Sequence, residues 1–341
     1  MNAPIVTMPD RTKWLGGSDC AAVMGLSPWA TPVELWQQKT GRVPKPEPDR
    51  AQLKRFERGH RLEPFIRDMA VDKLRETGLQ VELITSNARY VDPEHPFMSC
   101  EIDFELRLTG EIEFGGYPVV FDGEHINCDA KSVTGFARKK WGEEDTEDVP
   151  IEYAAQFMFG LMVTGRRYCL VAALRSFDDV DIFWTVRDDE TIAAMRPKLV
   201  SFWVDHVLAD VAPDPLKFDD IKALFPNDDG QPVDASQEIA DKVERLRGVK
   251  ADIKALEGIE EALKFDIAEW ISPHALLRWG GKEIATWKGQ NDTRLDEKLL
   301  AEAELYRRDA ETGEYRLIEN PAAEFKRTKV IRVLRLKKPK A

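Results

Sequence analysis

The stretch "HINCDAKS", residues 125–132, sets an aspartate and a lysine on either side of an alanine. In an extended chain residues i and i+2 share a face, so Asp129 and Lys131 project together. An ion pair on a half-exposed strand accounts for that spacing by itself. A second carboxylate widens the reading, because Asp103, in "SCEIDFEL", lies on another alternating segment upstream. Two carboxylates on neighbouring strands offer hard oxygen ligands suited to Mg²⁺, with Mn²⁺ as a substitute, and the main-chain carbonyl of Ala130 is a third ligand. An ion held there would polarise a phosphoryl oxygen and lower the pKa of an attacking water, while Lys131 would meet the developing negative charge. The chemistry that this set suits is metal-assisted hydrolysis of a phosphodiester.

Three further features can serve that chemistry, and each has a plainer structural explanation. In "RTKWLGGS", Arg11 precedes Ser18 by seven residues, and Ser18 opens a helix whose free N–H groups favour phosphate; a simple helix cap explains it equally. Glu63, in "RGHRLEPFIRD", sits on a mostly basic helix, where an ion pair with Arg67 at i+4 is the ordinary role. "YAAQ" sets Tyr153 and Gln156 three apart on one helix face, as site supports or as two locally satisfied polar groups.

The elements that must position these residues follow from pattern. "GGSDCAAVMGLSPW" predicts a glycine turn, a Ser or Asp N-cap and a short helix, and "TPVELWQQKTGR" a second one with Pro32 at its start and Gly41 past its end. A longer helix runs from about Arg50 to Glu76, with Leu53, Phe56, Leu62, Ile66, Met69 and Leu74 on one side and a kink or new start at Pro64. The period then falls to two, giving strands in "LQVELITS", "ARYVD", "FMSCEIDFELRL", "YPVVF" and "HINCDAK". "IEYAAQFMFGLMVTG" is an apolar helix, "RYCLVAALRS" and "VDIFWTV" a strand pair, and "DDETIAAMRPKLVSFWVDHVLAD" a helix interrupted near Pro197. The fold class is α/β (α+β): a central mixed sheet flanked by helices, with a C-terminal long helix and β-hairpin appendage. The boundaries are a domain over 1–212, a Pro- and Asp-rich linker over 213–234, and a C-terminal region over 235–341. In that region Ile239 through Trp270 recur at spacings of three and four, as in a coiled coil or a helical hairpin, and "HALLRWGGKEIATWKG" is a β-hairpin turning at Gly280-Gly281. Trp270, Trp279 and Trp287 are expected in a core, and the stretch from Lys326, with eight Lys or Arg and no acid, is a basic tail.

Composition bounds the function. The 341 residues carry a net charge of −12, which argues against a surface that binds nucleic acid everywhere but leaves room for a local basic channel. Four scattered cysteines without a CxxC suggest neither a zinc site nor a disulfide scaffold, and no iron–sulfur cluster is expected. No run approaches membrane-spanning length, and "MNAPIVTMPDRTKW" lacks the basic-then-apolar layout of a signal peptide. A cytoplasmic setting and no membrane partner are the expectation.

A carboxylate strand followed by a D-x-K strand is the pattern of the PD-(D/E)xK restriction-endonuclease-like core. Taken together, "GGSDCAAVMGLSPWATPVELWQQKTGR", "RGHRLEPFIRD", "SCEIDFEL", "NCDAKS" and "YAAQFMFGLMVTG" resemble the YqaJ-type viral recombinase family, relatives of lambda exonuclease, over roughly residues 10–210. The resemblance implies a Mg²⁺-dependent exonuclease that degrades one strand of duplex DNA from its 5′ end. It further implies that a single-strand annealing protein takes up the 3′ overhang, in a phage or prophage system of a bacterial cell. Relatives of the lambda type form a trimeric ring. By the same resemblance Asp103 and Asp129 ligate metal, Glu63 acts through the metal or its water, and Lys131 is catalytic. Tyr153 and Gln156 support the site, and Arg11 and Ser18 hold the terminal phosphate. Two departures stand out: the D-x-K carboxylate is Asp where the family more often has Glu, and the segment after Asp103 runs on as "FELRLTGEIEFGGYP", which leaves Asp122 and Glu101 as alternative ligands. An endonuclease on the same core and a non-catalytic DNA-binding or assembly module are the competing functions.

Overall fold

The computed structural model describes residues 10–43, 49–114, 116–133, 135–175, 179–295, 306–308, 315–317 and 326–337. The period-two region forms a five-stranded mixed sheet of β1 (Gln80–Val91), β2 (Ser99–Phe114), β3 (Tyr117–Ser132), β4 (Tyr168–Leu174) and β5 (Val180–Val186), ordered in space as in sequence. All neighbours pair antiparallel except β3 and β4, which are parallel. A parallel pair needs a crossover, and helix α4 (Ile151–Thr164) supplies it, ended by Gly165 in the left-handed conformation at φ 72°. β4 is buried at every position, which is why "YCLVAAL" shows no alternation.

Two predicted strand pairs are each one strand. "LQVELITS" and "ARYVD" fuse into β1, which keeps one register through Asn87 at φ 56° and shifts between Leu83 and Thr85. "YPVVF" and "HINCDAK" fuse into β3, where a register shift faces Leu108 and Thr109 and Gly123 adopts φ 68°. The Asp-Gly signal at 122–123 therefore makes a bulge in a long hairpin arm, not a turn.

Helices α1 (Gly17–Val23), α2 (Pro32–Lys39), α3 (Arg50–Glu76), α5 (Asp189–Ser201) and α6 (Phe218–Leu224) complete this unit. One core joins Ile66, Ala70, Val71 and Leu74 of α3 to Phe104, Leu106, Leu108, Ile126 and Leu170 of the sheet. A second joins Leu15, Met98, Cys100 and Ile102 to Cys20 and Ala21 of α1, Phe159 and Met162 of α4, and Met195 and Leu199 of α5. Helix α3 runs through Pro64 unbroken, yet Leu53 and Phe56 are exposed, because it meets the sheet only from about Leu62 onward. Helix α5 likewise continues past Pro197; its interruption is a π-type stretch over Phe202–Leu208. The N-cap of α1 is Gly16, not Ser or Asp, with the Asp19 carboxylate accepting from the Gly16 N–H at 2.9 Å. The stretch 213–234 contains α6, whose buried Asp220 accepts from the Thr31 hydroxyl at 2.7 Å.

The chain divides into two compact units at Asp229 and Gly230. In the second, α7 (Gln237–Ile271) is followed by β6 (Leu276–Trp279) and β7 (Lys282–Leu295), turning at Gly280 and Gly281 with φ 58° and 77°. Strands β8 (Tyr306–Arg308) and β9 (Tyr315–Leu317) pair with each other. The basic stretch is no loose tail over its described part: β10 (Lys326–Leu336) pairs with β7 along its whole length. Trp270 and Trp279 are both 80% exposed and belong to no core, and Trp287 is half-buried beneath the Arg332 guanidinium.

Ile66 is 1% exposed between α3 and the sheet. Ile66→Ala is expected to destabilise the first unit by about 2–5 kcal/mol, read as a fall in the urea midpoint at unchanged slope.

Candidate active site

The polar face of the sheet is built by register. Asn127, Asp129 and Lys131 alternate along β3, and Glu101, Asp103 and Glu105 along β2. Phe104 pairs with Cys128 and Glu105 with Asn127, so one further step sets Asp103 beside Asp129. Asp103 Oδ2 accepts the Ala130 N–H at 2.9 Å, which locks the two strands together at this point. Helix α4 brings Gln156, whose amide donates to Asp129 Oδ2 at 3.2 Å. Lys131 Nζ lies 2.6 Å from Asp129 Oδ1. Apart from that ammonium, Oδ1 has no partner.

Burial governs the charges. It pushes the Asp129 carboxyl up to about 7, with Lys131 pulling it down and Asp103 pushing it up. Asp103 is raised by burial too, against the Lys131 ammonium and the Ala130 N–H, with Glu63 adding repulsion. For Lys131 burial works the other way, but the carboxylates of Asp129 and Asp103 outweigh it and keep the ammonium charged. The ammonium also lies 5.2 Å from the Tyr153 ring centroid and 5.7 Å from that of Phe157. Tyr153 thus faces Lys131 with its ring.

Asp103, Asp129 and Gln156 line a cavity of about 220 Å³ together with Arg11, Ser18 and Glu101. Arg11 donates to the Ser18 hydroxyl at 2.8 Å and lies over Trp14, whose ring also carries Arg89. Gly16 and Gly17 are required here. A Cβ on Gly16 would meet Arg11 Nη2 at 2.8 Å, and one on Gly17 would meet Gln156 Cγ at 3.0 Å. Glu63 pairs with His60 Nδ1 at 3.2 Å, while Arg67 turns to Asp68 and Ser86. Of the two alternative carboxylates, Glu101 lines the cavity and is exposed, whereas Asp122 stands opposite Thr109 beside the bulge and does not line it.

The donor set fits a hard divalent cation. Asp103 and Asp129 are adjacent, one carboxylate oxygen lacks a hydrogen bond, and a cation, the Lys131 ammonium, already sits against it. Among the described residues no three His, Cys, Asp or Glu side chains form a complete cage, so main-chain oxygen, Glu63 and water would have to supply the rest. The four cysteines are free and buried.

With this geometry in hand, comparison with known proteins is informative. Residues 8–167 match the YqaJ-like viral recombinase domain. The likeness covers a little under half of the chain. Over 302 residues, 85% of each chain, the sequence is 25% identical to the uncharacterized protein YqaJ of Bacillus subtilis (strain 168). Among solved structures, an alkaline exonuclease from Laribacter hongkongensis is similar over 59% of this chain and 91% of its own, at 20% identity and a TM-score of 0.39. The structure of that exonuclease in complex with dAMP is similar to the same extent, at 19% identity and a TM-score of 0.39. The YqaJ-like match contains every site residue named from sequence, while β4, β5, α5 and α6 lie beyond it.

Sequence reasoning passed over two groups in the matched region. Lys39 is buried, and its ammonium donates to the carbonyls of Arg11 and Trp14 at 2.7 Å and to Asp19 at 2.8 Å. It therefore fixes the loop that carries Arg11; a lysine beside Trp36 on an apolar helix face was the available signal. Glu105, fully buried, pairs with Arg166 at 3.0 Å and His125 at 2.9 Å, and Arg166 reaches Asn127 on the cavity wall at 2.8 Å. That network joins distant segments, so no local spacing announces it. Lys39→Met would leave the Arg11 and Trp14 carbonyls without this donor and Asp19 without its buried cation, and is expected to cost about 3 kcal/mol of stability, measured by urea unfolding.

Proposed function

We propose that the YqaJ-like domain is a metal-dependent deoxyribonuclease that attacks linear duplex DNA at its ends. The observation that supports it most is one cavity lined by both an acidic pair and the Arg11–Ser18 pair. The first suits hydrolysis of a phosphodiester, the second a phosphate held a short distance away. When bound, Mg²⁺ or Mn²⁺ would polarise the phosphoryl oxygen and make water a stronger nucleophile. Asp103, Asp129 and the Ala130 carbonyl would hold it, with Glu63 acting through it or its water. The Gln156 amide orients the Asp129 carboxylate. Lys131, kept protonated by its two carboxylate neighbours, offers positive charge to the oxygens that become more negative in the transition state. Tyr153 holds the Lys131 ammonium against its ring. Arg11 and Ser18 take the terminal phosphate, which selects an end over an internal bond.

The polarity, 5′ to 3′ with a 3′ overhang left for a single-strand annealing protein, follows the family resemblance. So do a phage or prophage origin, action in a bacterial cytoplasm, and a ring of three chains. Among the described residues no helix is long and apolar enough to cross a membrane.

The test is digestion of a linear duplex labelled at its 5′ or 3′ end, beside a closed circle, with Mg²⁺ and with EDTA. Release of 5′ label from the linear form alone, abolished by EDTA, is the expected result; cutting of the circle would favour the endonuclease. Asp129→Asn and Lys131→Ala are each expected to slow hydrolysis by at least about 10²-fold. Full activity in the Lys131 variant would remove this site from consideration. Arg11→Ala is expected to erase any preference for a 5′-phosphate over a 5′-hydroxyl end.

A further inference from the structure

Helix α7 is 35 residues long, and its apolar stripe is exposed from Ile239 to Leu263, where Leu246 is 55%, Ile253 50% and Leu263 55% exposed, while Ile267 is half-buried. Helices of this kind owe most of their stability to a packed apolar face, so this stripe calls for a partner. One unbroken heptad frame describes it. The a positions are Ile239, Leu246, Ile253, Glu260 and Ile267. The d positions are Lys242, Val249, Leu256, Leu263 and Trp270. Eight of these ten are apolar, and Gly248 and Gly258 fall at the outward c and f positions.

Charge selects the partner and its direction. Residues 242–254 hold five bases and two acids, and residues 257–269 five acids and one base. A second copy laid parallel would set base against base and acid against acid. Its charged g-to-e contacts would be Arg245 against Lys250 and Asp252 against Glu257, both of like sign. A second copy laid antiparallel, centred between Ile253 and Leu256, matches every a with a d of its mate. It also brings Lys250 to Glu257 across the e positions and Arg245 to Asp266 across the g positions, all of opposite sign. Arg245, Lys250, Glu257 and Asp266 form no ion pair among the described residues, so these charges are available.

We propose that α7 is the seam of a two-fold antiparallel coiled coil between two copies of this chain. The e and g pairs fix its register: a slip of one heptad would bring Lys242 to Glu260 in the seam but set Lys250 against Lys250 and Asp252 against Asp252, whereas here Lys242 packs on Ile267 and Glu260 on Val249. The two-fold axis makes the assembly an even multiple of the chain, and where a ring of three also forms, the seam joins two rings. The proposal does not depend on the nuclease reading.

Cysteine pairing in the full chain tests direction. In the antiparallel seam Leu246 of one copy faces Leu263 of the other. The Leu246→Cys and Leu263→Cys proteins, separately oxidised, should stay uncross-linked, and a re-equilibrated mixture of the two should give a disulfide-linked pair. The four native cysteines are buried and serve as a silent background. Cross-linking of either variant with itself means a parallel seam, and absence of cross-links in all three samples means no seam; each overturns the proposal. An odd-numbered mass by sedimentation would overturn it as well. Charge reversal gives a second reading. Lys250→Glu and Glu257→Lys should each raise the dissociation constant about five-fold, and the double variant should restore it. Tighter association in either single variant would contradict the antiparallel arrangement.

Discussion

Two opposite charges, Asp129 and Lys131, are held out of water on one short stretch of β3, and the rest of the first unit is arranged around keeping them there. A buried pair of this kind adds little net stability, since desolvation of both ions offsets their attraction. It persists only where neighbouring groups supply further compensation. Here Gln156 bonds one carboxylate oxygen, aromatic faces border the ammonium, and Asp103 adds a second negative charge that leaves the whole group in want of cations. The fully buried β4 lies against β3 on one side and β2 against it on the other, so the charged face cannot move without breaking the sheet.

The basic end of the cavity rests on a different device. The loop from Arg11 to Gly17 has little regular structure of its own beyond one short turn. Its carbonyls are tied by the buried Lys39 ammonium, and its two glycines allow Arg11 and Gln156 to come close. The acidic end is thus fixed by strand pairing within the sheet, and the basic end by a single main-chain bridge from Leu15 to Met98 together with one side chain reaching across from α2.

Much of this was legible in the sequence, for reasons that differ by element. The bounds of α3 followed from its apolar spacing and the turn at Gly280-Gly281 from turn chemistry, both of which act within a few residues. The Asp103, Asp129 and Lys131 triplet was visible because strand periodicity is local. Pro64 and Pro197 misled, since tertiary packing carried both helices past the lost hydrogen bond. The Asp-Gly at 122–123 misled because the same dipeptide suits a bulge and a turn. Lys39 and the Glu105–Arg166 pair escaped notice because a buried charge is recognisable only by partners that are remote in sequence. The exposed Trp270 and Trp279 escaped because aromatic content alone does not say which surface a ring faces.

The sheet keeps its strands in the order in which they are made. Asp103, Asp129 and Gln156 therefore come from three consecutive elements, β2, β3 and α4, and find one another by closing short loops. A chain emerging from the ribosome has its acidic cluster in hand as soon as β4 follows α4 into place. Arg11 and Glu63, made earlier, need only dock onto a framework that forms behind them. The second unit runs to the opposite schedule: β7 waits for β10, some thirty residues later, before its outer edge is covered. Synthesis thus delivers a finished acidic cluster well before the module that follows it has closed its own sheet.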